Sequence, residues 1–250
     1  MPGYILHLTE AKLIEDRIRE GVGPELPPAW WNAFRLGCLL PDTRRRREKA
    51  GSHFWAPETL ADLAIAPSLE RFLDEYGGRL RGPGMLGYWV HLHLDFCYVR
   101  EFWTEHFRFL GEHGEEEVLR ERVKRVLSRM SGKTLPVDEF FSDRGYYGDY
   151  TRMNAFFSEK YYLQVPQYLA EDWTDFPIAE VDPSGLCEVL NELRALLAKE
   201  QIYAGEELVV FDRDELDSFV AGIADRALEM ILPALKEESA GLMLKRQIII

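Results

Sequence analysis

An all-α fold is what this sequence predicts, on two observations. Apolar residues recur with the 3.6 period of helices along most of the chain. Glycine and proline mark the ends of several of the periodic runs. Residues 4–20 put Ile5, Leu8, Ala11, Leu13 and Ile14 against Glu15, Asp16, Arg17 and Arg19, the pattern of an amphipathic helix, punctuated by Gly21, Gly23, Pro24, Pro27 and Pro28. Residues 29–40 read as a second, largely buried helix stopped by Pro41. Residues 42–57 are loop-like, and 58–76 read as a helix ending at Gly77 and Gly78. Gly82, Pro83 and Gly84 open a long apolar helix over 85–110.

Helices are expected over 115–130 and 135–142, then a turn rich in Gly, Tyr and Asp at 143–149, then a helix over 150–170. Pro177, Pro183 and Gly185 make 171–186 a linker or long loop, and helices follow over 187–201 and 213–239, with 206–211 a short strand or an extended loop. The last residues end in Ile248, Ile249 and Ile250, an apolar terminus expected to dock on the body or on a neighbouring subunit of a homo-oligomer. Residues 1–170 are read as the helical core, and 171–250 as C-terminal helices packed on the same domain.

Composition narrows the function. The 250 residues are 46% hydrophobic and 12% aromatic, enough for a large core. A net charge of −13 argues against binding nucleic acid by phosphate neutralisation. It leaves a small phosphate ester open as a substrate, because a metal ion inverts the local field. No run of about 18 apolar residues suggests a membrane span, and the first residues do not resemble a secretory leader. Cys38, Cys97 and Cys187 are odd in number and widely spaced, which suits a reducing compartment. Cytoplasmic localisation is the expectation.

The chemistry concentrates around Tyr88-Trp89-Val90-His91-Leu92-His93-Leu94-Asp95. His91 and Asp95 lie four apart, on one face of a helix that reads as buried. An imidazole and a carboxylate on an apolar face need a partner. A buried hydrogen bond between them is one solution and a divalent metal is another. Asp42, His53 and His7 add donors of the same kind, and imidazole and carboxylate are the usual zinc donors. His93 points about 200° away from His91 around the helix and is expected to be a core histidine. Arg44, Arg45, Arg46 and Arg47, with Lys49, form the one basic run, read either as a solvated loop or as a patch that steers and binds an anionic substrate. Asp149 is either a turn residue or a partner that orients a ligand histidine.

In order along the chain, Tyr4-x-x-His7, Gly37-x-x-x-Pro41-Asp42, Ser52-His53-Phe54 and Gly87-Tyr88-x-x-His91-x-x-x-Asp95 resemble the bacterial zinc-dependent phospholipase C family, which is related in fold to the P1-type nucleases. The resemblance covers residues 1 to about 110 and extends loosely to Tyr147-Gly148-Asp149-Tyr150-x-x-x-Asn154, as in cytosolic members of that family. It implies a helical bundle of that type. Metal ligands would come from the N-terminal helix, a loop and a central helix. Asp42, His53, His91 and Asp95 would hold one zinc, Asp42 would also orient or deprotonate the attacking water, and His7 would belong to a neighbouring metal. Secreted members hold three zinc ions and use their mature N-terminal amino group and a later His-x-x-x-Glu. Here His106 and His113, the histidines after Asp95, read as surface residues, although Glu117 does stand at the fourth position after His113. One zinc is expected, with two allowed.

The function expected from this is metal-dependent hydrolysis of a phosphoric ester, a small ester or a phospholipid head group. The alternative is a non-catalytic helical domain stabilised by metal, with an interaction or regulatory role. A phosphohydrolase of the His-Asp superfamily ranks below both, since the chain has no His-Asp dipeptide.

Overall fold

A computed structural model describes residues 2–21, 23–44, 48–198 and 207–248, with side chains described as far as residue 241. The first helix, α1 (Tyr4–Glu20), is buried on more than one side, so that His7, Thr9 and Glu10 are as enclosed as Ile5, Leu8 and Ile14. It runs against α5 (Pro83–Cys97), α8 (Tyr146–Lys160) and α10 (Arg213–Ile248). Between α1 and α5 in the chain come α2 (Pro28–Gly37), a one-turn helix α3 (Lys49–Ser52) and α4 (Leu69–Tyr76).

The closest packing is that of α2 on α5. Gly37 sits on Gly84, and Gly87 sits on the carbonyl of Phe34. A Cβ at Gly37 or at Gly87 would collide with those backbone atoms. The glycines let the two backbones approach, and that approach sets the end of α2 beside His91, one turn beyond Gly87. Around this seam Trp31, Phe34, Tyr88 and Trp89 fill the core, each nearly or wholly buried. Burial of such side chains stabilises by roughly 1.5–3 kcal/mol apiece.

The chain is mostly helical, 62% against 7% strand, so the all-α expectation needs one correction. The run expected to be helical to residue 110 leaves the α-helix at Cys97, makes a wider turn over Tyr98–Trp103 and a last short turn α6 (Thr104–His106), and then becomes strand β1 (Phe107–Leu110). β1 pairs antiparallel with β2 (Arg125–Ser128), which pairs antiparallel with β3 (Thr134–Pro136), in register Phe107↔Ser128 and Val126↔Leu135. A short helix α7 (Val137–Phe140) follows. Of the expected helices, 115–130 gives way to loop and strand β2, while 135–142 keeps a helix over Val137–Phe140 after the end of β3. Their short apolar runs fit either period, and in β2 the core takes alternate residues, Val126 and Ser128.

The expected helix over 58–76 survives only as α4. Pro67 disfavours helical geometry at Ala66 and bridges Trp55 instead, and Ser68 caps the helix by accepting from the Arg71 N–H at 3.3 Å. α8 starts at Tyr146, inside the expected turn, and ends at Lys160, with Tyr162 at φ +50° marking the exit. α9 (Leu186–Leu197) begins as expected; the expected end of that helix, at residue 201, lies outside the described residues, as do the side chains of the apolar terminus. Among the described residues no helix is long and apolar enough to cross a membrane.

Candidate metal centre

Four elements bring five side chains together. His7 comes from α1, Asp42 from the 3₁₀ turn Leu40–Thr43, His53 from the residue after α3, and His91 and Asp95 from α5. They form two overlapping triads, His7–His91–Asp95 and Asp42–His53–His91, and within each the ligating atoms lie within 4.8 Å of one another. All are buried: His53 and His91 at 0%, His7 and Asp95 at 1%, and Asp42 at 8% exposure. His93 points elsewhere, stacked on Trp89 with its Nε2 3.6 Å from the Cys97 sulfur.

Hydrogen bonds outside the cluster fix how two of the imidazoles present themselves. His91 Nδ1 lies 2.8 Å from the carbonyl of Cys38, at the end of α2. A carbonyl only accepts, so Nδ1 carries the hydrogen and Nε2 keeps its lone pair. His53 Nδ1 lies 3.0 Å from Ser52 Oγ, and Ser52 Oγ donates its hydrogen to the Pro41 carbonyl at 2.8 Å. Ser52 is left to accept, so His53 too is protonated on Nδ1 and aims a bare Nε2 inward. Tyr88 donates to the Ser52 carbonyl and ties this loop to α5. The turn that aims His53 is strained: Phe54, the next residue, sits at φ +52° and is held by packing on Phe72, Tyr76 and Tyr88.

The two bare nitrogens, His53 Nε2 and His91 Nε2, are 3.2 Å apart. The other separations are 3.4 Å from His53 Nε2 to Asp95 Oδ2, 3.5 Å to Asp42 Oδ1, and 3.7 Å from His91 Nε2 to Asp95 Oδ2. Two donors on a tetrahedral zinc with bonds of 2.0–2.1 Å stand about 3.3–3.4 Å apart. His7 Nε2 stands 3.5 Å from Asp95 Oδ1, and its ring stacks on His91 at 3.6 Å between centroids. Among the described residues, both oxygens of Asp95 and both nitrogens of His7 lack a hydrogen-bond partner.

The protonation states suit a cation. Burial pushes His53 and His91 down, so both are neutral at pH 7. Burial opposes ionisation of Asp42, but the Lys49 ammonium beside it holds its carboxyl well below the usual range. At Asp95 the contact with His7 opposes burial and the carboxyl is held below the usual range. Neutral imidazoles and ionised carboxylates are the metal-binding forms.

Of the basic run, Arg44 faces Glu48 at 3.5 Å, and Arg45, Arg46 and Arg47 lie outside the described residues. The cation found at the site is Lys49, whose Nζ is 2.7 Å from Asp42 Oδ1. The two lie in a stretch, 42–57, that reads as loop, where residue spacing predicts no pairing. Asp149 is not a turn residue. It lies in α8 at 0% exposure and accepts from the N–H groups of Val209, Val210 and Phe211 at 2.7–3.1 Å and from Arg152 at 3.1 Å. Its oxygens anchor that extended segment rather than a ligand histidine. Glu10, one turn after His7, carries no motif that marks it in the sequence: it is wholly buried, neither oxygen has a hydrogen-bond partner among the described residues, and burial with the Asp95 charge raises its carboxyl well above the usual range.

Next to the cluster opens a cleft of about 630 Å³ lined by Lys49, Trp55, Trp103, Arg120, Phe141 and Tyr146 among others. None of the five clustered residues lines this cleft, which meets the cluster through Lys49 and its contact with Asp42; a larger cleft, about 880 Å³, between α2 and the segment around Trp173, has neither link. Comparison of the chain with protein-family models, with curated proteins and with solved structures finds no match.

Proposed function

We propose that this chain is a metal-dependent phosphoric-ester hydrolase whose site resembles that of the zinc-dependent phospholipase C family. The observation that carries the reading is the pair of bare nitrogens of His53 and His91, 3.2 Å apart and flanked by two ionised carboxylates. Two lone pairs at that distance repel unless a positive charge lies between them. Asp42, His53, His91 and Asp95 would hold one zinc-class ion, and His7 with Asp95 offers donors toward a second.

Such an ion, when bound, supplies a Lewis acid for a phosphoryl oxygen and a water acidic enough to attack near pH 7. The chain's own residues do the rest. Asp42 is the clustered carboxylate that keeps some exposure, so it can orient a water and take its proton. Cys38 and Ser52 hold the histidine rings in their donor tautomers. The aromatic walls of the adjoining cleft suit the apolar part of a small phosphate ester or of a phospholipid. The net charge of −13 argues against nucleic acid as the substrate.

One consideration favours a second reading, a structural metal in a non-catalytic domain: four protein donors on one ion would leave no position for water. The 8% exposure of Asp42 and the cleft beside it favour catalysis. Chromogenic phosphomonoesters and phosphodiesters, assayed with zinc, manganese or cobalt, test the choice. Asp42→Asn is expected to lose on the order of 10²–10⁴-fold in rate. Absence of activity throughout, or equal rates in wild type and Asp42→Asn, selects the non-catalytic reading.

A further inference from the structure

Lys49 belongs to two places at once. Its ammonium pairs with Asp42 Oδ1 at 2.7 Å, and it also lines the aromatic cleft. The oxygen it holds is the one that stands 3.5 Å from His53 Nε2, on the side where a cation would be coordinated. A dication and an ammonium on one carboxylate oxygen repel each other strongly in a buried setting. Of the two, the ammonium is free to leave: it ends a flexible four-carbon stem, its side chain is 25% exposed, and the cleft is beside it.

Charge balance says what it would then do. Two carboxylates cancel a dication, and the histidines are neutral, so Lys49 remains as one net positive charge facing the cleft. Arg120 adds a second cation to that lining and Asp138 one opposing charge. The walls are Trp55, Trp103, Phe141 and Tyr146. An anion with a flat apolar substituent matches both features.

We infer that Lys49 is a resident counter-ion that a metal displaces from Asp42, and that the displaced ammonium then binds the anionic group of a phosphate ester whose apolar substituent lies in the Trp55–Trp103 cleft. The inference rests on the metal reading above and adds to it a class of substrate and the residue that recognises it.

Two measurements test it, neither needing turnover. The first uses wild type alone: labelling of Lys49 by an amine-reactive reagent, followed by mass spectrometry, should rise when zinc is added to the metal-free chain and fall again with phenylphosphonate. The second compares wild type with Lys49→Met and Lys49→Arg, using a chelator competition for zinc and the fluorescence of the cleft tryptophans for phenylphosphonate. Lys49→Met should bind zinc about tenfold more tightly, and its zinc-loaded form should bind phenylphosphonate about tenfold more weakly, the scale of one charge-assisted hydrogen bond. Lys49→Arg should keep the phenylphosphonate affinity within a few fold, and methylphosphonate should bind wild type more weakly than phenylphosphonate. Lys49 labelling that zinc leaves unchanged overturns the inference whether or not the variants fold, and so do unchanged affinities in Lys49→Met. Zinc that does not bind wild type at all overturns the metal reading as well, so the two failures are distinguishable.

Discussion

His53 and His91 face each other through their Nε2 atoms at 3.2 Å, while each has its Nδ1 hydrogen committed elsewhere, His53 to Ser52 and His91 to the Cys38 carbonyl. Neither inward nitrogen has a hydrogen to give the other. The pair is therefore unfavourable in the bare chain and becomes favourable with a cation between the rings, which links metal binding to stability.

His91→Ala should lose bound metal and thermal stability together, whereas His93→Ala should lose stability alone. An ion that binds only the folded chain adds about 2.7 kcal/mol at a hundredfold excess over its Kd, or roughly 5–10 °C in a chain of this size. His93 stacks on Trp89 and is pushed down to about 4 by burial, the mark of a neutral core histidine. Calorimetric melting with and without zinc checks this: zinc should raise the Tm of wild type and of His93→Ala, and leave that of His91→Ala where it was.

Gly87→Ala should damage the site from a distance. The added Cβ would strike the Phe34 carbonyl and force α2 from α5, carrying the Cys38 carbonyl away from His91. Overpacking of this kind costs about 1–3 kcal/mol. Denaturant unfolding of the metal-free chain gives the stability loss, and zinc affinity should fall with it. An unchanged affinity would separate the helix seam from the site.

Much of this centre was legible in the sequence, and the reason is specific. His91 and Asp95 share a helical face by spacing alone, whereas Asp42 and His53 were marked by their donor chemistry and by the order of their motifs along the chain. What fixes the rings was not legible. The Cys38 carbonyl is 53 positions from His91, and a backbone atom leaves no mark in a residue pattern. Lys49 was hidden in a basic run that reads as solvated loop. The hairpin was missed at Arg125–Ser128, where four residues are too few to tell a strand from a helical turn.

Glu10→Met should stabilise the chain at neutral pH. It removes two buried oxygens that have no partner among the described residues, each such group costing about 1–3 kcal/mol, and keeps a side chain of similar length. Urea unfolding at pH 7.5 should show a higher midpoint. A lower midpoint with less zinc bound would mean that Glu10 serves the metal.

Alkali should unfold the chain as its tyrosines ionise. Burial raises the phenols of Tyr98 and Tyr146, which share a hydrogen bond at 3.2 Å, above their ordinary value. In the unfolded chain they ionise near pH 10. The unfolded state therefore gives up these protons first, so the stability they lend is complete below pH 10 and is lost as pH rises toward the folded values. Tyrosinate absorbance should show part of the 11 tyrosines titrating only as the helical circular dichroism signal collapses. Titration of all of them near pH 10 with the helices intact would contradict this.

The central claim is that Asp42, His53, His91 and Asp95 hold a divalent ion, and the metal content of the protein tests it most directly. The chain should be purified without a histidine tag, stripped with chelator, dialysed against trace zinc and analysed by mass spectrometry. The expected result is at least one tightly held zinc per chain in wild type, and less than a tenth of that in a His53→Ala, His91→Ala double variant that remains folded. Wild-type protein that retains no zinc above the dialysis buffer, or a double variant that retains as much as wild type, would contradict it.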